Sequence, residues 1–276
     1  QNEVHLLKNV LRNHPNIIKL ISEFTEDDKL YIVMEFAQKG DLFSVLERLG
    51  TVNEEYAKFA MSQVCNAVKA IHSVGYVHLD IKPENVLIKE SGHMKLTDFG
   101  SALCLSDSHS DYQLQGTAEY LSPTLVEGKN PESADDIWAL GCMLYQLLAG
   151  TAPFNGENEE ALFQKIKQRD LIFPSTFPPL AKDLVSKIFC IGKEYVPITL
   201  MRIMKHEFFK DINWKDVNAV EPPSPSEGTI KADAIDMGLR QRKYSMMITK
   251  TLPGKYQFSS FTLEPIPESL DDAMLE

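Results

Sequence analysis

The chain has 276 residues, room for one sizeable domain or two small ones, and its 43% apolar and 24% charged residues are ordinary for a soluble globular protein. A formal net charge of -11 argues against a general nucleic-acid binder, because a phosphate backbone would be repelled overall. No apolar run is long enough to span a membrane and no basic-then-apolar start resembles a secretion signal; the cytoplasm is expected from the cysteine usage. Cys65, Cys104, Cys142 and Cys190 form no CxxC pair, and three lie in apolar surroundings; all four are expected to be reduced core residues rather than ligands or disulfides.

The chain opens at Gln1, without Met and already inside a helical pattern, which leads one to expect a missing upstream piece. Residues 3–11, "EVHLLKNVL", predict a helix ending at the turn cluster "NHPN". Two strand-like runs follow, "IIKLISEF" and "KLYIVMEF", joined across the acidic turn "TEDD". After "AQKGDL" the period becomes helical. "EEYAKFAMSQVCNAVKAIHSVG" puts Tyr56, Phe59, Ala60, Val64, Ala67, Val68 and Ile71 on one face, with Gly75 as the stop. The short strands "NVLI" and "MKLTDF" flank the turn "ESGH". From about residue 134 the chain reads as helices, and "ADDIWALGCMLYQLLAG" is apolar nearly all round, as a central buried helix would be. "NEEALFQKIKQ", "PLAKDLVSKIFCI" and "ITLMRIMKHEFF" are amphipathic, and "EPPSPSEG" reads as an extended linker.

The chemistry is concentrated in residues 78–88, "HLDIKPENVLI", and in "TDFGSA" at residues 97–102. A carboxylate can orient a nucleophile and accept its proton. An Asn five residues after Asp80, and an Asp eighteen after it, offer hard oxygen ligands for Mg²⁺, and the Lys between suits a phosphate. Phosphoryl transfer wants this set, because its transition state is stabilised by positioning and by neutralising phosphoryl charge. Alone, "DFG" could be a turn and "KPEN" means little; together, between short strands, they are specific.

At these residues the chain resembles the eukaryotic protein kinases: "HLDIKPEN" is similar to the catalytic loop H-R-D-x-K-x-x-N, and "DFG" to the magnesium motif. The resemblance covers roughly residues 1–216 and implies an α+β protein-kinase fold. Residues 1–37 would close a partial small β-rich lobe, 38–216 would form a complete, mainly helical large lobe, and 217–276 a C-terminal tail. It implies ATP and Mg²⁺ as cofactors, with Asp80 as catalytic base, Lys82 on the γ-phosphate, and Asn85 and Asp98 on the metal. The resemblance also implies that Glu84 and Leu87 would bind the nucleotide. Lys82 paired with Thr117, in "GTAEY", resembles the serine/threonine branch, and Asp136 in "DDIWALG" resembles the Asp that braces the catalytic loop. "LYIVMEFAQKGDL" resembles the strand and hinge that hold adenine. Met34 would lie behind the base or be an ordinary core methionine, Glu35 and Ala37 would offer backbone groups, and Asp41 would reach the ribose. Glu3 matches the helix glutamate that pairs with the ATP-binding lysine, or is a solvated helix residue. "WALGCMLYQLLAGTAPF", "NEEALFQKI" and "AKDLVSKI" resemble the phosphoinositide-dependent kinases of the AGC group, which implies protein substrates such as the activation segments of other AGC kinases.

Three departures qualify the resemblance. The family's Arg before the catalytic Asp is Leu79, which cannot read a phosphate, and Gln113 stands where the nearer relatives carry a phosphorylated Ser. Activation-segment phosphorylation is therefore not expected to be the on-switch, although Ser106, Ser108, Ser110 and Tyr112 remain acceptors. Thr124 and Pro197 replace both members of the usual Glu–Arg pair, an exchange that strands no charge. Neither a glycine-rich loop nor a strand lysine occurs; with Asp80, Lys82, Asn85 and Asp98 retained, this fits a piece of an active kinase better than a shortened pseudokinase scaffold. In the tail, "GLRQRKYSMMIT" resembles the opening hairpin of a pleckstrin-homology domain, with Arg240, Arg242 and Lys243 facing phosphoinositide headgroups. "FSSFTL", with Phe258, Phe261 and Thr262, resembles the AGC hydrophobic motif, and a partly disordered tail is the plain alternative.

Overall fold

The computed structural model describes residues 2–26, 29–107, 114–192, 194 and 196–226. A small β-rich portion precedes a larger helical body, the α+β arrangement expected. The first helix, α1 (Asn2–His5), widens into a π turn over Leu6–Val10, so the regular helix is shorter than its apolar spacing suggested. Strands β1 (Leu20–Glu26) and β2 (Lys29–Met34) pair antiparallel from Leu20↔Met34 to Glu26↔Lys29, with an irregularity between Leu20 and Ser22.

Helix α2 (Leu42–Leu49) is capped by Asp41, whose Oδ1 accepts from the Ser44 N–H at 2.7 Å. Helix α3 (Glu54–Ser73) is capped by Asn53, and its seven expected core residues are all buried. Strand β3 (Tyr76–Val77) pairs with β6 (Leu103–Cys104), and β4 (Val86–Ile88) pairs with β5 (Met94–Leu96), all antiparallel. After α4 (Pro123–Val126) comes α5 (Ser133–Ala149), the central helix buried nearly all round, whose Trp138 stacks on Phe154 at 5.4 Å and packs on Phe189. Gly141 lets α7 (Pro179–Ile188) approach: a Cβ there would lie 2.7 Å from Ile188 Cγ2. Helix α6 (Glu159–Gln168) and α8 (Leu200–Met204) complete the body.

Two expectations need correction. The segment 198–209 is not one helix: α8 stops at Met204, and the His206 side chain accepts from the Phe208 N–H to start a separate turn over Glu207–Phe209. Only Cys65 and Cys142 are core residues. Cys104 and Cys190 are half-buried, and Cys190 adopts φ 51° beside the Val196 carbonyl. None of the four forms a disulfide.

The described part of the proline-rich segment lies against the body. The Asn53 N–H donates to the Ser226 carbonyl at 3.0 Å, and Pro222 packs over Gly92. Nearby, Asn16 is a buried hub: its Nδ2 donates to Gln63 Oε1, the Met94 carbonyl and Asn218 Oδ1. That hub ties the "HPN" turn to α3, β5 and the segment after Trp214. Among the described residues no helix is long and apolar enough to cross a membrane.

Candidate active site

The loop between β3 and β4 carries the site, and its backbone is set by a carboxylate from elsewhere. Asp136, in the first turn of α5, is fully buried. Its Oδ2 accepts from the His78 N–H at 2.9 Å and its Oδ1 from the Leu79 N–H at 2.9 Å. His72, from the last turn of α3, places Nε2 2.7 Å from Oδ2. Burial would push this carboxyl up, but the His72 hydrogen bond and charge, with His78 beside them, hold it below the ordinary carboxylate value. The two N–H bonds fix Leu79 at φ 66°, a left-handed backbone costly for a branched side chain. Gly116, at φ 111°, crosses so close that a Cβ would lie 2.9 Å from the Leu79 carbonyl.

That backbone presents a compact polar group. Asp80 is 5% exposed; its Oδ2 meets Lys82 Nζ at 2.9 Å and accepts from Asn85 Nδ2 at 2.9 Å. Its Oδ1 accepts from the Thr117 hydroxyl at 3.0 Å, and Lys82 Nζ also lies 2.8 Å from Thr117 Oγ1. Asp80, Lys82, Asn85 and Thr117 are thus one buried network joining the catalytic-loop segment to the segment after residue 113. Glu84 follows on the same loop; burial pushes its carboxyl up, its own backbone hydrogen bond and Lys82 partly offset this, and Asp80 and Asp41 add to the rise.

Asp98 is not in that network. It lies exposed just past β5 at φ 60°, with Oδ1 3.3 Å from the Gly100 N–H. It is tied to the loop through its neighbour, since the Thr97 N–H donates to the Asn85 carbonyl at 2.9 Å. Phe99 is buried edge-on to His78 at 4.9 Å, and His78 Nε2 meets the Thr97 carbonyl at 3.0 Å. Both nitrogen donations of Asn85 go to Asp80, which leaves its amide oxygen as a hard donor on the other side. One amide oxygen and one exposed carboxylate suit Mg²⁺, which takes few protein ligands and shares the rest with phosphates and water. Among the described residues no cluster of three or more His, Cys, Asp or Glu forms a metal cage of its own.

On the nucleotide side, Leu87 lies in β4 and bridges to Asp41, whose Oδ1 is engaged by Ser44 as a helix cap. Ala37 is buried, whereas Met34 is 36% exposed and so is not a packed core methionine. Glu35 binds Lys95, an ion pair at 2.5 Å for which no pattern in the sequence offers a sign. Glu3 falls in α1, and its side chain lies outside the described residues, as do Ser108, Ser110, Tyr112, Gln113 and the tail from residue 227.

The departures from the family pattern are filled in specific ways. Leu79 joins Val77, Leu121 and Leu125 in a small buried apolar cluster, with Leu103, Leu114 and Phe163 packed against it. Thr124 donates to Asp135 Oδ1 at 2.8 Å, alongside Ser122, so hydroxyls bind that buried carboxylate. Pro197 lines a polar cleft with Lys187, Arg202 and His206 instead of pairing.

The chain is similar to known protein kinases. The protein kinase domain family matches residues 1–209. Serine/threonine-protein kinase PKH2 of Saccharomyces cerevisiae is 36% identical over 239 residues, 82% of this chain and 22% of that protein. The human 3-phosphoinositide-dependent protein kinase 1 is 35% identical over 224 residues, 76% of this chain and 39% of that protein. Serine/threonine-protein kinase PKH3 of Eremothecium gossypii is 41% identical over 211 residues, 74% of this chain and 29% of that protein. The chain therefore spans well under half the length of these relatives.

Proposed function

The chain belongs to the protein kinase family, and on that premise we propose that it transfers the γ-phosphate of ATP to Ser or Thr hydroxyls of proteins. The observation that carries this is the buried contact of Asp80 with Lys82, Asn85 and Thr117. Asp80 orients the substrate hydroxyl and takes its proton as the oxygen attacks. Lys82 sits close enough to steady charge on the moving group, and its bond to Thr117 fixes the ammonium against the substrate side of the cleft. Asn85 and Asp98 would hold Mg²⁺, which when bound would neutralise charge on the phosphates. Glu35 and Ala37 offer backbone groups to the adenine, with Met34, Asp41, Glu84 and Leu87 around the nucleotide.

Activation segments of other AGC kinases are the proposed substrates, supported by relatives whose names are those of phosphoinositide-dependent protein kinases. Work in the cytoplasm, with recruitment to membrane phosphoinositides through Arg240, Arg242 and Lys243, belongs to the same reading. The apolar packing of Leu79 supports activity without phosphorylation of the segment. Asp98→Ala tests the proposal: transfer to a Ser/Thr substrate should fall to background, and undiminished transfer would overturn it. Tight MgATP binding by the unmodified protein with no transfer would instead mark a non-catalytic scaffold.

A further inference from the structure

We infer that Lys95 is a positioning residue for the nucleotide base, acting through Glu35. Lys95 lies mid-strand in β5, three residues before Asp98, with its side chain only 8% exposed. Its Nζ meets Glu35 Oε1 at 2.5 Å and donates to the Ile17 carbonyl at 3.0 Å. The same Glu35 oxygen accepts from the Lys19 N–H at 2.8 Å, and the Glu35 N–H returns a bond to the Lys19 carbonyl at 2.9 Å. Residues 16–18 are in turn bonded to β5, from Ile18 N–H to the Leu96 carbonyl and from Leu96 N–H to the Asn16 carbonyl, both at 2.9 Å.

These bonds close a ring running from β5 through Lys95, Glu35 and Lys19 and back through Ile18 to Leu96. Glu35 opens the 35–37 segment between β2 and α2, so the ring sets the height of that backbone over the strand leading to Asp98. An apolar pair of similar size would serve stability as well as this half-buried ion pair, but it would accept no hydrogen bond from the Lys19 N–H at position 35. The ring therefore acts on where the 35–37 backbone groups point. This inference rests on the proposal that those groups receive adenine.

The test is titration of the full chain with adenosine and with MgATP, beside steady-state kinetics. Lys95→Met should weaken adenosine and MgATP by the same factor, about tenfold for a lost charged hydrogen bond. The ATP KM should rise in step, while kcat stays within about twofold, because Asp98 keeps its tie to Asn85 through Thr97. Glu35→Met should show the same loss, and the double variant no more than either single one. The double variant also replaces the pair with apolar groups, and so keeps a folded protein should Lys95→Met leave the carboxylate stranded. An adenosine affinity unchanged in Lys95→Met, or additive losses in the double variant, overturns the inference alone. Failure of the unmodified protein to bind either adenosine or MgATP overturns the adenine reading and this inference with it.

Discussion

Replacing Asp136 with Ala removes the acceptor for two buried main-chain donors, His78 N–H and Leu79 N–H, each 2.9 Å away, and for His72 Nε2 at 2.7 Å. Leaving a buried donor unpaired costs about 1–3 kcal/mol, so the two N–H groups alone put the loss at about 2–6 kcal/mol. Relief of the φ 66° conformation at Leu79 returns about 1–3 kcal/mol, but only if the loop refolds and carries Asp80 away from Lys82 and Thr117. Stability and activity are thus lost by alternative routes, and a variant that recovers one forfeits the other. Asp136→Asn is no remedy, because the two N–H groups bind different oxygens and the new NH₂ would face one of these donors. Urea unfolding and phosphate-transfer kinetics, run on both variants, check this. An Asp136→Ala protein with unchanged midpoint and unchanged kcat would refute the bracing role.

Leu79→Ala should cost about 2–4 kcal/mol in urea unfolding, since its side chain packs with Val77, Leu121 and Leu125. Phosphatase treatment of the unmodified protein should leave its activity unaltered, and a loss of activity would show a phosphate-dependent switch after all. Stability should also decline in alkali. Burial pushes Cys65 from 9.0, and Tyr56 and Tyr145 from 10.0, up to about 12. The folded state holds these protons while the unfolded chain releases them, so the stabilisation is full below pH 9.0 and drains away toward about pH 12. The urea midpoint measured across that range should fall, less so in Cys65→Ala, and a flat profile would contradict the burial of these groups.

What was legible in the sequence was local. Asp80, Lys82 and Asn85 lie within six positions, and their spacing alone announced a shared site; the face of α3 from Tyr56 to Ile71 showed its period plainly. The partners that hold the site come from far along the chain and carried no such signal. His72 reads as a solvated residue at a helix end, yet it meets Asp136 sixty-four positions away. Lys95 looks like an outward strand lysine, and Asn16 like a turn residue, but both are buried through contacts that only the assembled fold creates. A leucine gives no warning of a positive φ, because the conformation of Leu79 is imposed by Asp136 rather than by the residue itself. Apolar period likewise overran the end of α8, where the His206 side chain, not hydrophobicity, decides the stop.

The most direct measurement is transfer of labelled γ-phosphate from ATP to a protein substrate by the unmodified chain and by Asp80→Asn, with MgATP affinity measured on both. The unmodified protein should place phosphate on Ser or Thr, and Asp80→Asn should be slower by about 10²–10⁴-fold, the range for loss of a general base, while MgATP affinity is retained. Equal transfer rates in the two proteins, or transfer by neither despite tight MgATP binding, would contradict the assignment of Asp80 as the residue that activates the hydroxyl.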